Sequence, residues 1–346
     1  MKNSLTIADW GEFGFIEALK RRLPKASAGL KLGIGDDASW WSPVVGNGIL
    51  TTTDMLVEGV HFDLSYTLAA DLGYKSLAVN LSDLAAMGAQ PSTVYLSLAL
   101  PAGIEKAWLE NYVEAFLELA QEYGVQLAGG DTVKADQLVI SVTLCGLSGA
   151  AKPVLRSRAA VGDDLYFSGS LGDSYLGLQL LLGRMSVPDD FEDFNERAVF
   201  LQTRHLRPSP RVEVGALLAA SGAVTAMLDV SDGVIADLGH LLTASGGLGA
   251  ELEASRLPLS VAGRHFIEAD LVDYGTLLSG GEDYELLFSA PPEWRLKIET
   301  IAAETSVELA RIGRITAPAG IYMLADGSRK VLSERGGYDH FQDQSS

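Results

Sequence analysis

Runs of β-branched residues alternate with amphipathic helical stretches along most of this chain, and the alternation is interrupted once, at Gly149–Ala151 and Pro153. Such alternation forces a layered α/β or α+β fold, because each sheet face and helix stripe must be covered by another element. With 346 residues there is chain enough for two domains, and the interruption divides them into 1–149 and 150–346. In the first part the apolar spacing predicts a helix from Asp9 to about Leu23, a loop over Gly33–Asp37 and a strand Ile49–Thr53 ending at Asp54. A helix over Leu68–Met87, a strand Thr93–Leu100, a helix Glu105–Tyr123 and an alternating strand Leu138–Leu147 follow. The second part reads as strand Asp164–Ser168, a helix near Asp173–Leu182 and an acidic, mobile-looking stretch Val187–Glu196. Then come helix Pro210–Ser221, strand Ala223–Leu228, helix Ile235–Ser245, strand Tyr284–Phe288, helix Glu293–Glu304 and short strands to the end.

Charge narrows the partners. Lys and Arg number 26 against 45 Asp and Glu, a net charge of −19. Nucleic acid is excluded as a default partner, because a phosphate backbone demands clustered Lys and Arg. Anionic membrane surfaces are disfavoured on the same ground. The single cysteine, Cys145, excludes an intramolecular disulfide and cysteine-based metal sites, and it reads as filling in an apolar strand. The opening MKNSLTIADWGEF lacks the apolar core of a targeting segment, so the expectation is a cytoplasmic protein.

The polar signals share one form: an acid beside Gly, Ser or Thr at the edge of an apolar run. They are Gly35-Asp36-Asp37, Thr51-Thr52-Thr53-Asp54, Asn80-Leu81-Ser82-Asp83, Gly129-Gly130-Asp131-Thr132, Asp229-Val230-Ser231-Asp232-Gly233 and Ser279-Gly280-Gly281-Glu282-Asp283. Any one of them alone is adequately explained as a turn or a helix N-cap. Six together are harder to explain so, and Asp83 sits inside an apolar helical run with Leu81, Leu84 and Ala85, where a carboxylate needs a cation. Gathered carboxylates ionise fully only when cations join them. Mg²⁺ is the matching ion, since it takes carboxylate, hydroxyl and water oxygens and bridges to phosphates.

Other signals are weaker. Gly33-Ile34-Gly35-Asp36-Asp37-Ala38 formally fits a dinucleotide fingerprint, but two acids would face the pyrophosphate. The P-loop, protein-kinase and G-x-S-x-G patterns are absent. His61 follows Asp54 closely enough to reach the same site, or is a surface loop histidine. Arg156 and Arg158 flank Ser157 and are either solvated charges or phosphate contacts.

In this order the motifs resemble the thiamine-monophosphate kinase family, within the superfamily of aminoimidazole ribonucleotide synthetase and selenophosphate synthetase. The matching segments are GIGDDA (33–38), TTDMLVEGVHF (52–62), YKSLAVNLSDLAAMGA (74–89), GGDT (129–132), DVSDG (229–233), DLGH (237–240), SGGEDYEL (279–286) and GYDHF (337–341). The resemblance implies a two-domain aminoimidazole ribonucleotide synthetase-like fold, with an N-terminal ATP- and metal-binding domain that pairs with its twin in a homodimer. It implies transfer of the γ-phosphoryl of ATP to thiamine monophosphate, with several Mg²⁺ ions. The family's metal ligands fall on Asp36, Thr52, Thr53, Asp54, Asp83, Asp131, Asp229 and Asp232, with Asp54, Asp83 and Asp131 at the catalytic centre. Nucleotide contacts fall on Gly130, Asp131, Arg156 and Ser231, and acceptor contacts on His61, Glu282 and Tyr338. Two other readings use the same residues: a superfamily enzyme that activates an amide or formyl oxygen with ATP, and a non-enzymatic divalent-cation-binding protein.

Overall fold

The computed structural model describes residues 12–23, 30–32, 40–41, 48–149, 152–186, 193–325 and 327–332. The expected helix start at Asp9, the Gly33–Asp37 loop with Asp36, most of the acidic stretch after Val187, and Tyr338 lie outside these residues. The chain divides into two units, Met1–Leu84 with Ala89–Ala150, and Ala85–Gly88 with Ala151–Ser346.

Among the described residues the first unit opens on helix α1 (Glu12–Arg22) and a short antiparallel ladder of β1 (Leu30–Leu32) and β2 (Trp40–Trp41). Its body is a four-stranded sheet of β3 (Ile49–Val57), β4 (Gln90–Leu100), β5 (Gln126–Lys134) and β6 (Val139–Leu147), with helices α2 (Ala69–Ala86) and α3 (Lys106–Glu122). The strand order is β3-β6-β4-β5, antiparallel except for the parallel β4–β5 pair. Side chains alternate across the sheet. Leu50 and Leu56 of β3, Leu96 and Leu98 of β4, and Ile140, Val142 and Leu144 of β6 are buried, as are Leu72, Leu77, Leu81 and Leu84 of α2. The two helices meet where the Ser76 hydroxyl lies 2.9 Å from that of Tyr112 on α3. The alternate residues stand on the opposite face, where Ile49, Met55 and Val133 are 51%, 58% and 51% exposed.

Three expectations are corrected here. β3 does not end at Asp54 but pairs onward through Met55↔Ser141 to Val57↔Val139, because the apolar Met55-Leu56-Val57 continues the strand. Gly129-Gly130-Asp131-Thr132 is not a terminal turn but the middle of β5. A Cβ on Gly130 would stand 1.8 Å from the Leu96 carbonyl oxygen, so the glycine serves close strand packing. Cys145 is half-buried on the open face, 3.5 Å from the Thr51 hydroxyl, because its parity in β6 is opposite to that of the buried Leu144.

The second unit has a seven-stranded sheet. In chain order its elements are β7 (Asp164–Ser168), α4 (Asp173–Leu181), α5 (Phe194–Leu206), α6 (Val212–Ser221), β8 (Ala226–Asp229), α7 (Val234–Ala244) and β9 (Gly249–Glu253). Then follow α8 (Val261–Glu268), α9 (Tyr274–Ser279), β10 (Leu286–Ala290), α10 (Arg295–Thr305), β11 (Leu309–Thr316), β12 (Gly320–Ala325) and β13 (Ser328–Leu332). The strand order is β13-β12-β9-β11-β7-β10-β8, with β9–β12 the parallel pair. Both faces are covered. Leu165, Phe167, Leu228 and Leu287 pack with Ile235, Leu238 and Leu241 of α7, whereas Tyr166, Met227, Leu286 and Phe288 pack with Val214 and Leu218 of α6 and Ile298 and Ile301 of α10. Burial on two faces is why β7 and β10 read as continuous runs without polar alternation. At the start of β7 the Asp164 carboxylate accepts from Arg295 at 2.6 and 2.9 Å and from Arg311 at 3.2 Å.

The helices α5, α8 and α9 and the strand β9 were not foreseen. α8 and α9 do carry caps, Ser260 accepting from Gly263 N–H at 2.9 Å and Asp273 from Thr276 N–H at 2.7 Å. The strand expected at Tyr284–Phe288 begins instead at Leu286, because Glu282 and Tyr284 have positive φ, +66° and +50°, which a strand cannot contain. Among the described residues no helix is long and apolar enough to cross a membrane.

Candidate active site

In the first unit β3 turns Thr52 and Asp54 toward the helix-covered face, where α2 carries Asp83. The Thr52 hydroxyl donates to the Asp83 carboxylate. Burial, and then the charge of Asp83, push the Asp54 carboxyl up to about 7. Such a shift is what a buried carboxyl beside a second carboxylate shows. Thr53 lies on the other face, its hydroxyl donating to the Val142 carbonyl at 3.1 Å and lying 3.0 Å from that of Thr143. Asp131 is likewise on that open face, in register with Ser97, and lines a shallow depression with Val133 and Ser141. Its Oδ1 accepts from Thr132 N–H at 2.8 Å. Of the expected ligands in this unit, Thr52, Asp54 and Asp83 are therefore brought together, while Thr53 and Asp131 are not with them. His61 is half-buried in the turn after β3, and its Nδ1 accepts from Val57 N–H at 3.1 Å. A neutral His61 ring therefore carries its proton on Nε2.

In the second unit two loops meet because β8 and β10 are antiparallel neighbours, with Asp229 opposite Leu286. The end of one strand therefore lies beside the start of the other. Asp229 closes β8, and Val230–Gly233 lead into α7. Asp237, in the first turn of α7, accepts from Ser231 N–H at 3.1 Å and Asp232 N–H at 3.0 Å. Burial and the charge of Asp232 push Asp237 up to about 7 against those hydrogen bonds. On the other loop Glu282 N–H donates to Ser231 O at 2.8 Å and Tyr284 N–H to Val230 O at 2.9 Å, while Val230 N–H donates to Glu285 O at 2.8 Å.

Behind this double loop lies a buried polar network. Glu285, fully buried, accepts from Arg204 at 2.8 Å, from Arg211 through two nitrogens at 2.6 and 2.5 Å, and from the Ser168 hydroxyl at 2.5 Å. The Asp283 carboxylate accepts from Gly172 N–H at 2.7 Å and Ser174 N–H at 3.1 Å, at the start of α4. Burial above all pushes Asp283 up to about 7, aided by the charge of Asp173 and opposed by Gly172 N–H and Arg204. Asp283, Glu285 and Asp237 stand in the quoted motifs, but the sequence assigned them no supporting role. The role of Asp237 could have been read from its place in the first turn of a helix that follows a Ser-Asp-Gly loop. The contacts of Arg204, Arg211 and His205 on the Glu282–Glu285 loop leave no local signal. Arg156 is exposed, and its carbonyl lies 3.5 Å from the Ser245 hydroxyl.

No three His, Cys, Asp or Glu side chains among the described residues gather as a metal site would. Each unit instead offers a raised carboxyl beside a second carboxylate, Asp54 with Asp83 and Asp237 with Asp232. These are hard oxygen donors of the kind Mg²⁺ takes, and in the first pair Thr52 adds a hydroxyl.

The architecture and these loops define a class. The family model for the N-terminal domain of AIR synthase related proteins matches residues 35–148, and that for their C-terminal domain matches residues 160–325. The thiamine-monophosphate kinases of Haemophilus influenzae and Escherichia coli strain K12 are each 39% identical to this chain, over 96% of it and 98% of their own length. The crystal structure of thiamine-monophosphate kinase from Stenotrophomonas maltophilia K279a superposes with a TM-score of 0.77 at 38% identity, covering 90% of this chain and 95% of that one. AaThiL complexed with AMPPCP and TMP superposes with a TM-score of 0.73 at 33% identity, covering 98% of this chain and 100% of that one. The chain belongs to the thiamine-monophosphate kinase family, and is an enzyme of that phosphotransferase type.

Proposed function

We propose that this enzyme transfers the γ-phosphoryl group of ATP to thiamine monophosphate, giving thiamine diphosphate and ADP, by direct in-line displacement. The observation that carries the chemistry is the Asp54–Asp83 pair, two coupled carboxylates with a threonine hydroxyl on one of them. The substrates follow from the full-length likeness to the AaThiL complex with AMPPCP, an ATP analogue, and TMP.

Thr52, Asp54 and Asp83 would hold Mg²⁺ in the first unit; the family pattern also names Asp36, Thr53, Asp131, Asp229 and Asp232, of which Thr53 and Asp131, on the other face of the first sheet, would serve a separate ion. When bound, Mg²⁺ screens the phosphates from one another and stabilises charge on the transferred group. The side chains have a simpler task than in most kinases. The acceptor is a phosphate oxygen, anionic at neutral pH, so no general base is required. Gly130, Asp131, Arg156 and Ser231 serve the nucleotide, and His61 donates to the acceptor phosphate. Glu282 supplies a counter-charge to the thiazolium, and Tyr338 an aromatic face for the heterocycle.

A homodimer through the open face of the first sheet fits the exposure of Ile49, Met55 and Val133 there. A cytoplasmic setting fits the lone cysteine. The deciding experiment is product analysis with purified protein, ATP, Mg²⁺ and thiamine monophosphate, with free thiamine as the control acceptor. Thiamine diphosphate formed only from the monophosphate is expected; consumption of thiamine alone, or of neither, refutes the reading.

A further inference from the structure

The last turn of α5 meets the Glu282–Glu285 loop through two consecutive side chains. Arg204 donates to the Asp283 carbonyl at 3.4 Å and to the Glu285 carboxylate at 2.8 Å. His205, only 3% exposed, places Nδ1 3.3 Å from the Glu282 carboxylate and 3.1 Å from the Ser174 hydroxyl of α4. The Glu282 side chain itself is 26% exposed, so one end of the contact is sealed in the protein and the other reaches solvent.

The backbone of Glu282 is fixed by its positive φ and its hydrogen bond to Ser231. That fixes where the side chain starts, not where the carboxylate finishes, since a glutamate has three further torsions. The same imidazole Nδ1 faces the Ser174 hydroxyl and the far end of the carboxylate, so with the proton on Nδ1 both oxygens accept from one N–H. We infer that His205 is a positioning residue: its Nδ1–H orients the Glu282 carboxylate for a cationic acceptor, and so sets acceptor affinity without reaching the acceptor itself. The inference rests on Glu282 being an acceptor contact, as proposed above.

The test uses the full chain, with calorimetric binding of thiamine monophosphate without ATP and the KM of each substrate. His205→Leu keeps the ring's approximate volume and removes the N–H. His205→Asn returns an N–H at the position of Nδ1. A charge-assisted hydrogen bond lost near the site should weaken thiamine monophosphate binding and raise its KM by roughly ten-fold. The KM for ATP should stay within about two-fold of wild type, because the variant frees only the Glu282 side chain and leaves its backbone bond to Ser231 in place. His205→Asn should recover most of the loss. In a Glu282→Gln background, His205→Leu should add little, because the two residues act in series.

Unchanged acceptor affinity in His205→Leu, an equal rise in the ATP KM, or an undiminished loss in the Glu282→Gln background would overturn the inference. Should His205→Leu not fold, His205→Asn and His205→Gln decide it, with Asn expected near wild type and Gln, whose N–H is displaced by one methylene, weaker. Equal affinities for those two would count against it. A wild-type protein that binds no thiamine monophosphate refutes the proposed substrate, and this inference falls with it. A wild type that binds while every His205 variant binds equally refutes only the role of His205.

Discussion

The backbone N–H of Glu282 donates to the carbonyl of Ser231 at 2.8 Å. With Tyr284 N–H on Val230 O and Val230 N–H on Glu285 O, the bond ties together two loops distant in sequence. The geometry follows from strand order: β8 and β10 are antiparallel neighbours, so the exit of one and the entry of the other share an end of the sheet. Positive φ at Glu282 and Tyr284 costs on the order of 1–3 kcal/mol per residue. Glu285, held by Arg204 and Arg211, and Asp283, held by the start of α4, are the fixed points that retain that conformation. The proposed nucleotide residue Ser231 and the proposed acceptor residue Glu282 are therefore linked directly through the backbone.

Asp54→Ala should lower turnover by orders of magnitude while circular dichroism shows the fold retained. Without metal the variant should melt no lower than wild type, because it removes a buried carboxyl whose charged form is opposed by burial and by Asp83. Mg²⁺ should raise the melting temperature of wild type more than that of the variant, since a ligand stabilises only the form it binds. Near-wild-type turnover in Asp54→Ala would remove Asp54 from the site.

Chelation should weaken nucleotide binding itself, beyond its effect on chemistry. A chain of net charge −19 offers a triphosphate little direct attraction. Calorimetric titration of a non-hydrolysable ATP analogue, with Mg²⁺ and with chelator, reads the difference. Equal affinities would mean that protein groups alone hold the phosphates.

Much of this was legible in the sequence where pattern and environment agree. The doubly buried strands β7 and β10 appear as apolar runs, and α2 is bounded to within a residue or two because Gly88 follows it. Asp83 stood out as a carboxylate in an apolar helix, and Thr52 and Asp54 do meet it. What misled was glycine read as a turn. Gly130 lies mid-strand because β4 passes too close for a Cβ, a requirement set by a neighbour the local sequence does not contain. Parity was the second difficulty. Thr53 and Asp131 belong to the same motifs as their neighbours, but a one-residue step in a strand reverses the face, and with the extent of β3 and β5 unknown the faces could not be assigned. The contacts of His205 and Arg204 on the Glu282–Glu285 loop arise only when α5 packs in the fold.

Gly233→Ala should destabilise the second unit by roughly 1–3 kcal/mol. Gly233 has φ +107° and ψ 150°, and a Cβ there would lie 2.7 Å from the Ser279 carbonyl oxygen. The strain falls between Asp232 and α7, so nucleotide affinity should drop as well as the denaturant midpoint. A variant with unchanged midpoint and affinity would show that the loop can relax without consequence.

The pH dependence of stability should carry the signature of Asp283. Its carboxyl is pushed up to about 7 in the folded chain from an ordinary value of 3.8, chiefly by burial. Between those values the native state holds a proton that the unfolded chain has released. Stability from this group is therefore complete below pH 3.8 and declines as pH rises toward 7, with a slope of at most about 1.4 kcal/mol per pH unit. Asp164 acts in the opposite sense: burial raises its carboxyl, but Arg295 and Arg311 outweigh it and hold it low, so its contribution is lost as pH falls below the ordinary carboxylate range. The two are separated by substitution. Asp283→Asn loses one of the hydrogen bonds from Gly172 or Ser174, because an amide has a single acceptor oxygen, so its stability at any one pH mixes two effects. The slope does not mix them. Urea unfolding of wild type and Asp283→Asn at several pH values from 4 to 7, in chelator, should give a difference in stability that shifts in favour of the variant as pH rises. A pH-independent difference would mean that Asp283 remains ionised in the fold, with Gly172 N–H, Ser174 N–H and Arg204 sufficient to hold its charge.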